Sequence, residues 1–277
     1  MKQAATIVDG ATLPWVNGAA VYESMEPAFR ENIGRDQGAA LKLLSQYHMR
    51  NLWLDEATSR RIDHIRTDPG YEDLSEAYHD SVEESYFLGG TCELTAEGRF
   101  EAGDYFWRPP GWVHSATTAT GFDSILMMEG VDAGEGSDRV SRVVRPDEEA
   151  GRFARDGGSA GIGPRGYVRR AETRFMVWRD DDGAARLQPS DGLRVKTLSS
   201  NVATGAASLV VHPGTAWSSR PDRVNRERFV MNTHGTLVAD GQELVEPGLV
   251  HIPAGATAPT LEADDTVELL VKVGGPQ

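Results

Sequence analysis

The feature that most constrains the fold of this chain is an internal repeat. Four short blocks recur in the same order in both halves, most of them ~144 residues apart, and such a pattern indicates a duplicated unit. The paired blocks are GAALKLLS at 38–45 with GLRVKTLS at 192–199, DPG at 68–70 with HPG at 212–214, EESYFLGG from Glu83 with ERFVMNTHG from Glu227, and AGDYFWRPPG near 102 with EPGLVHIPAG near 246. Generic similarity between strand–turn segments is the alternative explanation.

The repeated unit has the composition of a β protein. Apolar runs of strand length, such as Leu41–Leu44 and Ser124–Met128, recur between turn residues, and the 277 residues include 30 glycines and 14 prolines. Apolar runs separated by glycine and proline predict short strands joined by tight turns. We therefore predict an all-β chain of two barrels, with an N-terminal barrel at 1–135, a connector at 136–166 that contains one helical turn at Pro146–Glu149, and a C-terminal barrel at 167–277.

Charge and cysteine content narrow the partners and the compartment. The net charge of −14 disfavours nucleic acid, because phosphate binding needs clustered Lys and Arg side chains. The single cysteine, Cys92, excludes an internal disulfide and suits a reducing compartment. The sequence has no apolar stretch long enough to predict a signal peptide or a membrane span. We expect a cytoplasmic protein with a small-molecule substrate and no nucleic-acid or membrane partner, and a homodimer is left open.

Three side chains in the first half form a candidate metal site. His79 and Glu83 are four residues apart, so on one strand both would project to the same face. Pro109-Pro110-Gly111 predicts a tight turn that brings His114 back towards them on the next strand. Two imidazoles and one carboxylate form a facial triad that leaves coordination positions for water, oxygen or substrate. The sequence therefore predicts one divalent metal ion held by His79, Glu83 and His114.

These motifs resemble the cupin superfamily. Gly103, Pro109, Gly111 and His114 have the spacing of the second cupin motif without its trailing asparagine, and the spacing from His79 through Glu83 to Gly90 is similar to the later part of the first motif. Within the superfamily, the sequences of these two segments most resemble the branch that contains the acetylacetone-cleaving dioxygenase and the zinc-binding cupins of anti-sigma factors. The resemblance is strong over about 60–130, and the repeat extends it to a bicupin, two double-stranded β-helix barrels of the jelly-roll type.

One ligand of the family pattern is absent. The resemblance implies three histidines and one glutamate, but the position of the first histidine is Ala77. An open position for substrate, a weaker site and a substitute ligand all remain alternatives. His64, on the preceding predicted strand, is the nearest candidate substitute, and a surface or hydrogen-bonded role is its alternative.

The C-terminal copy is predicted to hold no metal. In the repeat alignment Arg223 stands at the position of His79, Glu227 at that of Glu83 and Ala258 near that of His114. A carboxylate beside an arginine and without an imidazole favours an ion pair over a metal site, and His212, His234 and His251 lie outside the motif.

Strand alternation predicts which residues surround the metal. Ser85 and Phe87 share the parity of Glu83, and Phe106 and Arg108 share one face of the next strand, so we predict Ser85, Phe87 and Phe106 as substrate-binding. Arg108 is predicted as catalytic, because a guanidinium beside a metal can hold a carboxylate or enolate, and pairing with an acid such as Asp104 is the alternative.

Three functions are compatible with such a site. The first is an oxygenase that uses a divalent ion, with Fe(II) favoured, to oxidise or cleave a small enolisable organic substrate. The second is a non-redox metal-dependent isomerase, cyclase or lyase. The third is a small-molecule or redox-sensing zinc-binding cupin. The resemblance leaves Zn, Mn, Ni and Cu open as metals.

Overall fold

The computed structural model describes residues 4–25, 27, 30, 36–79, 81–95, 97–129, 142–143, 168–201 and 204–274. Its first half contains β1 (Thr6–Val8), β2 (Val16–Asn17), α1 (Gly18–Ser24), α2 (Gln37–Ser45), β3 (Tyr47–Leu54), β4 (Arg61–Thr67), β5 (Glu72–Tyr78), β6 (Val82–Leu94), β7 (Gly98–Glu101), β8 (Asp104–Arg108), β9 (His114–Thr117), β10 (Phe122–Glu129), β11 (Arg142–Val143) and β12 (Val168–Glu172). The second half contains β13 (Arg179–Asp180), β14 (Leu193–Asn201), β15 (Ala206–Pro213), β16 (Trp217–Ser218), β17 (Arg228–His234), β18 (Leu237–Ala239), β19 (Gln242–Leu244), β20 (Leu249–Ile252), β21 (Leu261–Ala263) and β22 (Glu268–Val273). The all-β prediction is confirmed.

The chain divides into two compact units with boundaries that differ from the predicted ones. Residues 14–174 form the N-terminal unit, whereas residues 1–13 join 175–275 in the C-terminal unit. The cause is strand pairing, because β1 pairs with β20 and β12 pairs with β8. Within the predicted connector, only β11 is described, where it pairs with β5, and the helical turn expected at 146–149 lies outside the described residues.

The two units share one strand order. In the N-terminal unit the antiparallel order is β3-β4-β10-β6-β8, and in the C-terminal unit it is β14-β15-β22-β17-β20. The smaller sheet β16-β21-β18-β19 likewise corresponds to the pairing of β5, β9, β6 and β7. The same topology in both halves is the arrangement of a double cupin. The described strands pair as open sheets and do not close into a continuous barrel.

One block of the repeat, predicted as a strand, is a helix. Leu41–Leu44 was predicted as strand but lies in α2, and β3 is the structural counterpart of β14. The carboxylate of Asp36 accepts hydrogen bonds from the backbone N–H groups of Gly38 and Ala39, which caps the helix N-terminus. An apolar run of four residues cannot distinguish a strand from part of a helix, and the cap decided the outcome.

Each unit has its own core. In the C-terminal unit, aliphatic side chains from both sheets form one large cluster that includes Val211, Val250 and Leu261. In the N-terminal unit, the cluster inside the strands is smaller and aromatic, and it contains Phe87, Phe100 and Phe106 with Cys92 and Leu94. The aromatic cluster lies on the face of β6 and β8 that also presents Glu83 and Arg108.

Candidate metal centre

Three predicted ligands converge in the N-terminal unit. One potential ligand atom from each of His79, Glu83 and His114 lies within 4.8 Å of the others. The imidazole centroids of His79 and His114 are 5.5 Å apart. The predicted route to this arrangement was wrong in one respect, because His79 follows the end of β5 and Glu83 lies on β6, so the two do not share a strand.

The turn before His114 positions the third ligand. β8 ends at Arg108, and Gly111 adopts a φ of 76°, a left-handed conformation that glycine accepts without a steric penalty. The Gly111 N–H donates a hydrogen bond of 2.7 Å to the carbonyl oxygen of His79. β9 then begins at His114, opposite Ala77 on β5. The Pro-Pro-Gly turn is therefore hydrogen-bonded to His79 and leads along the chain into His114.

Local electrostatics prepare two of the side chains for metal binding. Burial alone would raise the pKa of Glu83, but the neighbouring His114, Arg108 and His79 outweigh it and lower the pKa to about 2. Burial, followed by the charge of Arg108, lowers the pKa of His114 to about 4. At neutral pH the carboxylate is therefore ionised and the imidazole of His114 has a free lone pair.

A backbone carbonyl selects the tautomer of His114. Its Nδ1 lies 3.1 Å from the carbonyl oxygen of Trp112, which can only accept a hydrogen bond. The proton of the neutral ring is therefore on Nδ1, and Nε2 has the lone pair. This Nε2 is the atom that faces Glu83, 3.6 Å from its Oε2.

Arg108 is buried between two carboxylates. Its Nη1 donates to Glu83 Oε2 at 2.9 Å, while its Nε and Nη2 donate to Glu97 at 2.8 and 3.1 Å. Arg108 therefore pairs with acids, which was the alternative to a catalytic role. The acids are Glu83 and Glu97 and not Asp104. Asp104 instead pairs with Arg170 and Arg174. Arg108 is only 1% exposed, so it contacts the ligand Glu83 instead of an open pocket.

The charges of this cluster fit a divalent cation. Glu83 and Glu97 contribute two negative charges and Arg108 one positive charge, so these three side chains carry a net charge of −1 beside two imidazoles. A buried net charge is costly unless a counter-ion compensates it. Imidazole nitrogens and a carboxylate are donors that zinc, iron, nickel and copper accept. The residues present therefore fit a divalent metal ion.

The predicted substrate-binding residues lie beside the candidate ligands. In the register of β6 and β8, Glu83 is opposite Arg108 and Ser85 is opposite Phe106, so these side chains share the inner face. The ring of Phe106 lies 3.9 Å from the Arg108 guanidinium. Phe87 contacts Phe100 at a centroid distance of 5.1 Å. Substrate contacts by Ser85, Phe87 and Phe106 stay a prediction.

Polar side chains on the same inner face, on β4, were not predicted from the sequence. Through β10, Glu83 and Ser85 align with Arg61 and Asp63 on β4. Asp63 is 3% exposed and accepts hydrogen bonds from Arg61 at 3.1 Å and from Asn51 at 2.8 Å. Strand parity could have identified these residues only after the pairing of β4, β10 and β6 was known.

His64 is not a substitute ligand. Its Nε2 contacts the carboxylate of Asp123, and its ring lies 4.8 Å from that of Trp15. Its parity on β4 is opposite to that of Asp63, so it faces away from the inner wall. Among the described residues, the group with metal-binding geometry consists of His79, Glu83 and His114.

The register of the C-terminal unit corrects the repeat alignment by one residue. Arg228 is opposite Ile252, as Glu83 is opposite Arg108, so Arg228 rather than Glu227 occupies the position of Glu83. Glu227 does have an imidazole partner, since His251 Nε2 lies 2.8 Å from its Oε1. Arg223 donates from Nε to the Gly255 carbonyl at 3.3 Å. The absence of a metal from this unit stays a prediction.

Comparison with known proteins agrees with this architecture. Residues 39–131 match the family model described as the ChrR cupin-like domain. Among curated protein sequences, none matches the chain significantly. The match confirms the predicted resemblance to the cupins over residues 39–131, and the shared β topology of the two units is consistent with the predicted resemblance to the bicupins.

Solved structures of low sequence identity share the fold. A candidate dioxygenase from Nostoc punctiforme is 12% identical with a TM-score of 0.69, covering 100% of this chain and 84% of the other. Salicylate 1,2-dioxygenase from Pseudoaminobacter salicylatoxidans is 13% identical with a TM-score of 0.55, covering 99% and 83%. A bacterial pirin from Escherichia coli, in complex with nickel(II), is 12% identical with a TM-score of 0.53, covering 99% and 100%. No described helix has the length and apolar character to cross a membrane.

Proposed function

We propose that this protein is a metal-dependent cupin enzyme, an oxygenase that oxidises or cleaves a small enolisable organic substrate. The observation that supports the proposal is the convergence of His79, Glu83 and His114 within 4.8 Å. Such a set fills one face of a metal ion and leaves the other positions for oxygen and substrate. When bound, the metal supplies oxygen activation or polarises a carbonyl group.

Fe(II) is the favoured ion of this proposal. Two histidines and one carboxylate on one face, with open positions, are typical of non-haem Fe(II) oxygenases. Two of the proteins with similar folds are named as dioxygenases, which supports the same choice. The pirin in complex with nickel(II) indicates that other divalent ions can occupy related folds, so Zn, Mn, Ni and Cu are the competing metals.

The surrounding residues have separate tasks in this proposal. Arg108 acts through Glu83, because its contact at 2.9 Å fixes one carboxylate oxygen and its second partner, Glu97, balances its charge. The catalytic role predicted for Arg108 thus becomes a positioning role. In this proposal Phe87 and Phe106 shield one side of the metal from water, and Ser85 offers a hydroxyl to the substrate. Arg61, which donates to Asp63 at 3.1 Å, lies on the same inner face two strands from Glu83, where its charge would help to stabilise a substrate carboxylate or enolate.

Two other functions have a specific observation in their favour. A non-redox lyase is supported by the similar fold of oxalate decarboxylase, which is 14% identical with a TM-score of 0.51. A zinc-binding sensor is supported by the match of residues 39–131 to the ChrR cupin-like domain.

Metal analysis followed by oxygen uptake distinguishes the three functions. The protein is purified without added metal, its metal content is measured, and oxygen consumption is recorded with a panel of 2-keto acids and 1,3-diketones. Iron with substrate-dependent oxygen uptake is the expected result, and the His114→Ala variant, which lacks one ligand, is the control that should show neither. Turnover without oxygen uptake would select the lyase, isomerase or cyclase, and zinc without turnover would select the sensor.

A further inference from the structure

Glu97 is a buried carboxylate at the turn of a hairpin. The turn joins β6 to β7, where Leu94 is opposite Gly98, and Gly98 has a φ of 95°, a conformation that suits glycine. Side chains at such turns usually project into solvent, and glutamate is rarely buried unless it has a partner. The side chain of Glu97 is nevertheless 0% exposed. A specific interaction must therefore offset the cost of burying this charge.

The partner is Arg108, which binds both carboxylate oxygens of Glu97. Its Nε donates to Oε1 at 2.8 Å and its Nη2 donates to Oε2 at 3.1 Å, and this double contact fixes the plane of the guanidinium group. The centre of the Phe106 ring lies 3.9 Å from the guanidinium carbon and restricts it further. The Nη1 of the same group donates to Glu83 at 2.9 Å. Glu97 therefore determines how Arg108 is presented to Glu83.

Glu97 is not one of the candidate metal ligands. Among the described residues, the group with metal-binding geometry is His79, Glu83 and His114, whereas both oxygens of Glu97 accept hydrogen bonds from Arg108. Its effect on a metal ion is therefore indirect. Because Arg108 contacts the ligand Glu83, its positive charge would repel a divalent ion at close range in a buried site. The negative charge of Glu97 opposes this repulsion.

We propose that Glu97 is a positioning residue that raises the metal affinity of the centre by neutralising and orienting Arg108, without contacting the ion. The inference rests on the metal site of the proposed function and applies to any divalent ion held there. In the metal-free protein, Arg108 stabilises two buried carboxylates. In the metal-bound protein Glu83 shares its charge with the ion, so Glu97 becomes the main counter-charge of Arg108.

The test measures the Zn²⁺ affinity of the full-length protein by competition with a chromogenic chelator. Glu97→Gln keeps the shape of the side chain but removes its charge, so zinc binding should weaken about tenfold or more. The matched control is Glu93→Gln, the same substitution in the same hairpin. The side chain of Glu93 is 57% exposed and lies 4.0 Å from the exposed Arg99. This control should leave the zinc affinity unchanged.

A double variant separates the charge of Glu97 from a merely structural role. Glu97→Gln combined with Arg108→Met removes one negative and one positive charge, so the net charge is that of the wild type and no arginine faces the ion. Zinc affinity should return to within about threefold of the wild type. A structural role predicts instead that the double variant binds zinc as weakly as Glu97→Gln. Because both partners are removed together, this variant also tests the proposal if Glu97→Gln alone does not fold.

The outcomes distinguish a failure of this inference from a failure of the proposed function. Unchanged affinity in Glu97→Gln, equal weakening by Glu93→Gln, or a double variant as weak as Glu97→Gln would each overturn the inference while the metal site stands. Zinc binding that weakens in Glu97→Gln and recovers in the double variant supports it, even where no oxygen uptake is found and the oxygenase function fails. No zinc binding by the wild type would overturn the metal site and this inference together.

Discussion

The two units of this chain have the same strand order and opposite chemistry at the same position. In the N-terminal unit the inner face carries Glu83 opposite Arg108, with His114 close by. In the C-terminal unit the corresponding pair is Arg228 opposite Ile252, with Ala258 at the third position. An acid with imidazoles attracts a metal ion, whereas an arginine without them repels one.

The same strand order forms in the C-terminal unit although the positions of the candidate metal ligands carry other residues. The C-terminal unit replaces them with an aliphatic core that includes Val224 and Ala258, both buried. The N-terminal unit instead has a smaller aromatic cluster and buries a charged network of Glu83, Arg108 and Glu97. A buried network of this kind is weak evidence for stability, and its contact with Glu83 at 2.9 Å fits the positioning role proposed for Arg108.

The largest difference between the units should appear in metal content. His114→Ala removes one of three ligands but no core strand, so the protein should lose stoichiometric metal while its fold persists. Elemental analysis and circular dichroism measure the two properties. His251→Ala, which removes the imidazole paired with Glu227 in the other unit, is the matched control and should retain full metal. Full occupancy in the His114→Ala variant would contradict the assignment.

The second difference concerns the two buried arginines. In metal-free protein, Arg108→Met would leave Glu83 and Glu97 buried without their cation, at a cost of about 3–5 kcal/mol in the free energy of unfolding. Arg228→Met removes a hydrogen bond to one backbone carbonyl and the attraction of Asp222, and we expect a smaller cost of about 1–2 kcal/mol. Urea denaturation of both variants checks the order. Equal costs would show that the acidic network does not depend on Arg108.

Local motifs predicted which three side chains converge in the candidate metal centre. The Pro-Pro-Gly turn, the following His114 and the alternation of Glu83 and Ser85 are properties of short segments, and strand geometry fixes their consequences. Glu97 could not be found in this way, because it lies between β6 and β7 and reaches Arg108 only through the folded sheet. The same holds for Asp63, whose position depends on the pairing of β4 with β10.

The repeat was recognisable from the sequence, but its register was not. Matching Glu227 to Glu83 by residue type displaced the alignment by one position. Because side chains alternate between faces, a shift of one residue moves the whole strand to the wrong side. The helix α2 was missed for a different reason, since its apolar run is as short as a strand and only the cap at Asp36 indicates the helix.

The third prediction concerns a variant that supplies the ligand missing from the first motif. Ala77 is directly opposite His114 on neighbouring antiparallel strands, so its side chain projects to the same face. Ala77→His should therefore add an imidazole to the site and tighten metal binding about tenfold, which corresponds to about 1.4 kcal/mol. Competition with a chromogenic chelator measures the affinity. The same variant should lose turnover if substrate uses that position, because a catalytic metal needs an open site.

Two results would decide the alignment of the first motif. Unchanged affinity and unchanged activity in the Ala77→His variant would show that position 77 does not face the ion. Ala116→His on β9 is a suitable control, because its position adds an imidazole on the strand of His114, two residues further along and opposite Asp73 rather than Ala77. It should bind metal no more tightly than the wild type.

The smallest expected effect separates the structural alignment of the repeat from the alignment by residue type. Glu227 contacts His251 at 2.8 Å, and its side chain is 15% exposed. Glu227→Ala should therefore cost about 1 kcal/mol of unfolding free energy, the net value of one hydrogen bond, measured by urea denaturation. Because Arg228 and not Glu227 is opposite Ile252, and the candidate metal ligands lie in the other unit, metal content should be unchanged. A cost of about 3 kcal/mol or more, the value for breaking a buried ion pair, would place Glu227 on the inner face after all. The two units would then differ by loss of their imidazoles alone, without the exchange of an acid for an arginine.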